Sequence, residues 1–180
     1  MHKIIELDTT NAGLVDRLAA ITHNAFTLHS PEWVPSLELA REEVLAAGTT
    51  GRFGRVCLDG ETVVGWIGII KGDHVWEIHP IAVHMDQHRR GVGRLLVEEV
   101  AAIAKKSGAL TLFAGISDET GNTNLFGTDL YNDPIAAMQD IESFATSPLP
   151  FWQNLGFTVV GLMPDEEGKG KPGIHLARRL

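Results

Sequence analysis

The chain has 180 residues, of which 44% are hydrophobic and 21% are charged, values that are typical of a soluble globular protein. No apolar run approaches the roughly 18 residues that a spanning helix needs, so we exclude a transmembrane segment and a membrane partner. The formal net charge of −8 argues against nucleic acid as a partner and is compatible with a cationic substrate. For this length we expect one domain over residues 1–180.

The N-terminus has no long apolar segment followed by a small-residue cleavage site, so no secretory signal is visible. A cytoplasmic location follows by default. The single cysteine, Cys57, cannot form an internal disulfide and is predicted to pack as a small apolar side chain in a strand.

The first fifty residues are predicted to form a short strand and two helices. Thr9 or Thr10 is expected to cap the first helix, whose apolar positions recur at helical spacing. Ser36 is expected to cap a second amphipathic helix, which Gly48 ends. Trp33, in the loop between the helices, is either a hydrophobic plug or one wall of a ligand cleft.

Three β-rich runs between residues 51 and 83 predict an antiparallel meander, because the turn signals Asp59-Gly60 and Gly72-Asp73 separate them. A helix from about Arg90 to Lys106 then leads to a buried strand, ALTLFAG. Since this helix is a crossover, the third run and the new strand are expected to lie side by side and parallel. The predicted fold class is therefore α/β (α+β mixed), with a mostly antiparallel sheet, a parallel pair in its middle and flanking helices.

Residues 116–132 show no clear period, and a loop of this length inside a compact domain is often functional. Asp133 and Pro134 are expected to begin a helix that continues through Phe144. A short helix ending at Leu155-Gly156 and two last strands, FTVVGLM and IHLARRL, complete the predicted elements.

The turn HRRGVGRLL, residues 88–96, matches neither a Walker loop nor a dinucleotide-binding fingerprint. Its backbone N–H groups lie at a helix N-terminus, where the partial positive charge favours an anion. Gly91 and Gly93 are expected to let a phosphate approach the backbone without a Cβ in the way. The side chains that can add positive charge are Arg89, Arg90, Arg94 and His88. The alternative is a helix start with solvated arginines, although cations oppose the helix dipole there.

The strand before this turn is predicted to place an acid and an imidazole on one face, because Glu77 and His79 are two residues apart. Pro80 cannot donate to a sheet ladder, so the strand is expected to bulge or to part from its parallel neighbour there. A gap would free backbone groups of Ile81–Val83 for an extended ligand. The alternative is a partly exposed Glu77 and a hydrogen-bonded core histidine. No metal site is predicted, because histidines five residues apart alternate strand faces.

A strand with a break, then H-R-R-G-V-G-R-L-L, a helix and a strand, resembles the acetyl-CoA site of the GNAT superfamily of N-acetyltransferases, whose motif is [QR]-x-x-G-x-[GA]. Gly91 and Gly93 match this motif, and His88 stands at the usual Gln/Arg position. FWQNLGF is similar to the family's [FY]-[FY]-x-x-x-G-[FY] element. Together with VWEIHPIAV, TDLY, SPLPFWQNLGFTVVGLMPD and KPGIHLAR, these motifs resemble the aminoglycoside 6'-N-acetyltransferases over about residues 60–180.

The resemblance implies a GNAT-like sheet with a splayed parallel pair, acetyl-CoA as co-substrate, an aminoglycoside as the cationic substrate, antibiotic resistance and a homodimer. It implies that Glu77 is the substrate-side carboxylate and candidate base, acting directly or through water, with His79 close by. Trp152 stands where many relatives carry a tyrosine that can protonate the leaving thiolate, and the only tyrosine is Tyr131. The residues implied to bind the cofactor, at its pyrophosphate and pantetheine, are Ile81, Ala82, Val83, His88, Arg89, Arg90, Gly91, Val92, Gly93 and Arg94.

A polycationic substrate needs acidic partners, and loops expected to flank the cleft carry Glu32, Asp118, Glu119, Asp129 and Asp140. We predict substrate contacts for Trp33, Glu77, Asp118 and Glu119, whereas the alternative for each loop acid is a solvated surface group. The expected reaction is direct attack of the amine on the thioester, because Cys57 lacks a local activating group. The alternatives are acetylation of a peptide N-terminus, polyamine or metabolite amine, or a non-catalytic acetyl-CoA-binding module.

Overall fold

The computed structural model describes residues 2–144 and 146–180. The elements in chain order are β1 (His2–Glu6), α1 (Ala12–Phe26), α2 (Leu37–Ala46), β2 (Arg52–Asp59), β3 (Thr62–Ile70), β4 (Val75–Val83), a 3-10 turn (Met85–Gln87), α3 (Val92–Lys106), β5 (Thr111–Ser117), α4 (Pro134–Gln139), α5 (Leu149–Gln153), β6 (Thr158–Met163) and β7 (Gly173–Arg179). None of the helices in these residues is long and apolar enough to cross a bilayer.

Within the described residues, seven strands form one sheet in the order β1-β2-β3-β4-β5-β7-β6. Each neighbouring pair is antiparallel except β4 and β5, which are parallel. The predicted meander and the predicted parallel pair in the middle of a mixed sheet are therefore confirmed.

Both faces of the sheet are covered, because adjacent residues of one strand enter different hydrophobic clusters. Ile67 packs with residues of α3 such as Leu96, whereas its neighbour Trp66 packs with residues of α1 such as Leu18. The indole N–H of Trp66 donates to the hydroxyl of Thr22 at 2.8 Å, so the polar atom of this buried ring is satisfied. Helices therefore hold the sheet from two sides and make β4 a rigid support.

The helix caps follow the sequence signals with one shift. Asn11, rather than Thr9 or Thr10, caps α1, and its side chain accepts a hydrogen bond from the Leu14 N–H at 3.0 Å. Asn and Thr are both good N-caps, so composition alone does not separate adjacent candidates. Ser36 caps α2 as predicted.

The helix predicted from Asp133 through Phe144 is much shorter, because α4 ends at Gln139. Its start is as predicted, since the Asp133 carboxylate accepts from the Ala136 N–H at 3.0 Å. Beyond the helix the chain extends, and the Phe144 N–H donates to the Asn122 carbonyl at 2.8 Å. Pairing with the 116–132 loop, rather than helix propensity, therefore decides this segment.

The feature that creates the site is the incomplete pairing of β4 with β5. The two strands pair only over Val75–Ile78 of β4, although both continue further. At the same point β4 bulges against β3, so that Gly68 lies opposite both His79 and Pro80. A Cβ at Gly68 would collide with the His79 carbonyl oxygen, so the bulge needs glycine there. The bulge and the splay predicted from Pro80 are confirmed.

Candidate active site

A cleft of about 760 Å³ opens where β4 and β5 part. Its walls come from the splayed halves of β4 and β5, the turn and N-terminus of α3, the end of α1 with the loop that follows it, α5 with the residues before it, and the β6–β7 turn with β7. A cleft of this size can hold a cofactor arm and a small molecule together. The splay of one strand pair therefore positions groups from five parts of the chain around one space.

The N-terminus of α3 forms the basic end of the cleft. Gly91 is the N-cap residue in the left-handed conformation, with φ of 84°, and no side chain of the described residues caps the helix. Uncapped N–H groups at a helix start favour an anion. Arg89 and Arg94 line this end and remain exposed, so they can add positive charge beside those N–H groups.

Glycine is favoured at positions 91 and 93 of the turn for two different structural reasons. At Gly91 the positive φ favours glycine, and an added Cβ would meet no heavy atom of the described residues within 4 Å. At Gly93 an added Cβ would lie 3.0 Å from a ring carbon of Phe151. Packing of Phe151 is therefore a structural reason for glycine at position 93, and the predicted phosphate access at this residue, which lines the cleft, stays a prediction. The contact also ties α5 to the start of α3.

Three of the predicted cofactor residues, His88, Arg90 and Ala82, are respectively paired with another group, outside the cleft lining, and buried. The His88 Nε2 atom is 2.9 Å from the Val83 carbonyl oxygen. This carbonyl, which was predicted to be free for a ligand, therefore already has a partner. Arg90 is exposed outside the cleft lining. Ala82 is buried in the cluster beneath α1, and its neighbours Ile81 and Val83 line the cleft.

Glu77 and His79 both face the cleft from β4, as the strand alternation predicted. Glu77 Oε1 lies 3.9 Å from His79 Nδ1. A third group, Glu43 of α2, was missed from the sequence, and its Oε2 atom lies 3.4 Å from His79 Nε2. His79 is therefore placed between two carboxylates, one on each side of its ring.

Contact with the His79 imidazole holds the pKa of Glu43 below its usual range, although partial burial opposes this and Arg52 adds to it. Glu43 does not line the cleft and lies behind the imidazole. Nothing in the local sequence of α2 signals this role, because the contact depends on how the helix packs near β4.

Trp33 forms an aromatic wall of the cleft and also packs against the buried cluster of Ala19, Val34 and Ala40, so the structure combines the two alternatives for this residue. Its ring centroid is 4.5 Å from that of Phe26 and 5.3 Å from that of His79, both in edge-to-face geometry. The contact restrains the imidazole on the side of the α1–α2 loop.

Asp118 is not brought into the cleft. Its side chain is 1% exposed, and its carboxylate accepts from the Asn122 N–H at 2.7 Å, the Thr123 N–H at 2.9 Å and the Thr123 hydroxyl at 2.7 Å. These bonds organise the start of the 116–132 loop. A carboxylate used in this way is not available to a substrate, so the predicted contact is not supported.

Glu119 is also buried and outside the cleft lining. Its Oε2 atom accepts from the Glu32 N–H at 2.6 Å, and Glu32 in turn pairs with the Lys171 ammonium at 2.7 Å. Burial raises the pKa of Glu119, although the bond from Glu32 opposes this. Glu119 therefore connects the α1–α2 loop to the segment after β5, and the structure does not bring it to a substrate.

The acids that join Glu77 in the cleft are Glu166 and Glu167, in the turn between β6 and β7. The Ser117 hydroxyl donates to Glu167 at 2.8 Å, and Glu166 Oε1 lies 3.3 Å from His175 Nε2. The sequence reasoning missed both, because acids in a Gly/Lys-rich turn are usually solvated. The only feature of the sequence that could have indicated them is that the two acids are adjacent.

The side chains near α5 limit the acid chemistry of the cleft. Trp152 is 5% exposed, with its ring 5.1 Å from that of Phe151 and 4.9 Å from that of Phe157. Tyr131, the only tyrosine of the chain, is 70% exposed and outside the cleft lining. No tyrosine hydroxyl therefore faces the cleft. No group of three or more His, Cys, Asp or Glu side chains in the described part of the chain could hold a metal ion.

Comparisons with known proteins agree on one family. The model of the acetyltransferase (GNAT) family matches residues 18–132. A structure of an aminoglycoside 6'-N-acetyltransferase complexed with coenzyme A is 29% identical, with a TM-score of 0.86 over 98% of this chain and 96% of that chain. The enzyme of that name from Enterococcus faecium is 27% identical, with a TM-score of 0.82 over the same shares. A comparison with curated protein sequences finds no significant match.

Proposed function

Because the chain belongs to the GNAT acetyltransferase family, we propose that it transfers an acetyl group from acetyl-CoA to an aminoglycoside amine at the 6' position. Such a reaction would confer resistance to the antibiotic. The observation that carries the proposal is one cleft with a basic helix N-terminus at one end and three carboxylates, Glu77, Glu166 and Glu167, in its lining.

The residues at the basic end fit acetyl-CoA. The uncapped N–H groups at the start of α3 suit a pyrophosphate, and Arg89 and Arg94 add positive charge. The part of β4 beyond Ile78 has no β5 partner among the described residues, so its backbone at Ile81 can pair with an extended pantetheine arm. When bound, acetyl-CoA supplies the acetyl group as a thioester.

Direct transfer to the amine agrees with the state of the cysteine. Cys57 is buried in β2, and burial raises the pKa of its thiol, with Asp59 adding to the shift. Such a thiol is a poor nucleophile. Glu77 would hold the substrate ammonium, whose proton must leave before attack because alkylamines are largely protonated at neutral pH. N–H groups near Ile81 would stabilise the negative charge that develops on the carbonyl oxygen.

The acidic lining supports an aminoglycoside over a peptide N-terminus. An aminoglycoside carries several ammonium groups, whereas a peptide N-terminus carries one. Glu166 and Glu167 come from a different segment than Glu77 and line the cleft, and each has one carboxylate oxygen beyond the one that contacts His175 or Ser117. We propose that these two acids replace Asp118 and Glu119 as substrate contacts.

An amine panel tests this proposal. Purified protein with acetyl-CoA is assayed for thiol release with matched aminoglycosides that carry either a 6'-amine or a 6'-hydroxyl, and with polyamines and short peptides. We expect turnover only with the 6'-amine compounds, and NMR of the product should locate the acetyl group there. Turnover of peptides or polyamines alone would show a GNAT enzyme of another specificity. Tight binding of acetyl-CoA without any turnover would show a binding module.

A matched pair of variants tests the site itself. We expect Glu77→Gln to lower kcat/KM by about 10²- to 10⁴-fold, because the ammonium would lose the carboxylate that holds it for proton removal, without weakening acetyl-CoA binding. Glu61→Gln, in the exposed turn before β3, makes the same chemical change away from the cleft and should leave activity unchanged. Equal activity of the two variants would remove Glu77 from the mechanism.

A homodimer and a cytoplasmic location are further proposals that follow from the resemblance and the sequence. Light scattering on the purified protein, coupled to size exclusion, measures the first. Cell fractionation measures the second.

A further inference from the structure

We infer that Glu43 is a positioning residue that fixes the tautomer of His79 and thereby makes His79 the acceptor of the substrate's ammonium proton. The inference rests on the proposed function, because it concerns the amine that the cleft would receive. It begins from the placement of the imidazole between Glu43 of α2 and Glu77 of β4.

The distances decide which carboxylate receives the imidazole N–H. A neutral imidazole carries one N–H donor and one lone pair, whereas an ionised carboxylate only accepts. Glu43 Oε2 is 3.4 Å from Nε2, and Glu77 Oε1 is 3.9 Å from Nδ1. Both distances exceed that of an ordinary hydrogen bond, and Glu43 is the nearer carboxylate to a ring nitrogen, so it is the better placed acceptor for the imidazole N–H. His79 therefore carries its proton on Nε2, and Nδ1 presents a lone pair on the side of Glu77.

The surroundings of Glu43 keep it ionised at neutral pH. Contact with His79 lowers the pKa of Glu43, and Arg52 acts in the same direction. The charged groups that face the imidazole are thus Glu43 from α2 and Glu77 from β4, with Arg52 of β2 acting on Glu43. Trp33 covers the imidazole edge-on from the α1–α2 loop, which limits its rotation. Tautomer and orientation are therefore both set before a substrate enters.

The proton step then has a defined path. The ammonium group held by Glu77 passes one proton to Nδ1 of His79, which leaves a neutral amine whose lone pair attacks the thioester carbonyl. As the C–N bond forms and the C–S bond breaks, the nitrogen loses its second proton and the leaving CoA thiolate takes up one proton, both through water in the cleft. Nδ1 returns the proton to water in the cleft after transfer, while the Nε2 proton stays with Glu43 throughout. Glu43 contacts neither substrate, in the same way that the buried aspartate of a Ser-His-Asp triad acts through its histidine.

Variants at Glu43 test the inference by kinetics. We expect Glu43→Gln to lower kcat by about 10- to 100-fold, less than the roughly 10⁴-fold loss for the buried triad aspartate, because Glu43 is 29% exposed and its contact is long. The KM for acetyl-CoA should not change. Glu43→Asp keeps the charge and should recover part of kcat, and Glu42→Gln, an exposed neighbour on α2, should behave as the native protein.

A spectroscopic readout separates this inference from the proposed function. Nitrogen-15 NMR of the imidazoles, with His79 assigned from the spectrum of His79→Gln and recorded at a pH where that ring is neutral, should show Nε2 as its protonated nitrogen in the native protein. In Glu43→Gln that preference should weaken, because the amide can also donate to Nε2. A native protein that acetylates no amine would overturn the proposed function, while Nε2 protonation there would still support the positioning role of Glu43. An active protein with Nδ1 protonated, or a Glu43→Gln variant with native kcat, would overturn the inference.

Discussion

Replacing Asp118 with alanine tests whether this acid supports the fold or contacts a substrate. The carboxylate is 1% exposed and accepts three hydrogen bonds, two from backbone N–H groups of Asn122 and Thr123 and one from the Thr123 hydroxyl. Alanine removes the acceptor and leaves these donors buried without a partner. Unpaired buried donors are among the few causes of large losses in stability.

The size of the effect follows from the three bonds. A hydrogen bond to a charged group contributes about 1.5–3 kcal/mol, which would sum to more than 4 kcal/mol if the bonds were independent. The three share one carboxylate, and its removal also ends the cost of burying that charge, so we expect a loss of about 3–4 kcal/mol. For a chain of this size, that corresponds to a fall in Tm of roughly 6–16 °C.

Urea and thermal unfolding measure this loss, with Asp129→Ala as the control. Asp129 lies in the same loop and accepts from the Tyr131 N–H at 3.2 Å, but it is exposed, so we expect its variant to change stability by about 0.5 kcal/mol or less. The KM for the acceptor amine should be the same in folded Asp118→Ala as in the native protein. Native stability combined with a raised KM would refute the structural role and return Asp118 to the substrate site.

Three further outcomes follow from packing and burial. Gly93→Ala must displace the Phe151 ring, so we expect the free energy of unfolding in urea to fall by about 1–2 kcal/mol and the KM for acetyl-CoA to rise. In the control variant Gly13→Ala the added Cβ has its nearest contact at 3.7 Å, so the free energy of unfolding should not fall. The pKa of Glu43 is lower in the folded than in the unfolded state. Its ionised form therefore stabilises the fold above the ordinary glutamate pKa of about 4.3, and this stabilisation is lost as the pH falls through the folded-state pKa. The free energy of unfolding of Glu43→Gln, measured across the same pH range, should not show this loss. Cys57 should not react with a thiol reagent until urea unfolds the chain, because its thiol is buried and its pKa is raised; rapid labelling of the native protein would contradict its burial.

The sequence by itself determined the half of the site that lies between β4 and α3. Alternation along one strand places Glu77 and His79 on one side, Pro80 ends the regular pairing, and the glycine turn starts a helix without a side-chain cap. Each of these features depends on residues a few positions apart, so local rules of backbone geometry are sufficient. Part of the family resemblance rests on the same stretch for this reason.

Only the tertiary structure decided which carboxylates reach that half. Asp118 and Glu119 were expected at the substrate, but hydrogen bonds inside and between loops turn both inward. Glu43 reaches His79, and Glu166 lines the cleft, although both are far from β4 in sequence. An acid in a loop or on a helix has the same local pattern whether it faces water, a backbone N–H or a cleft. The packing of distant segments on the sheet determines which of these it meets.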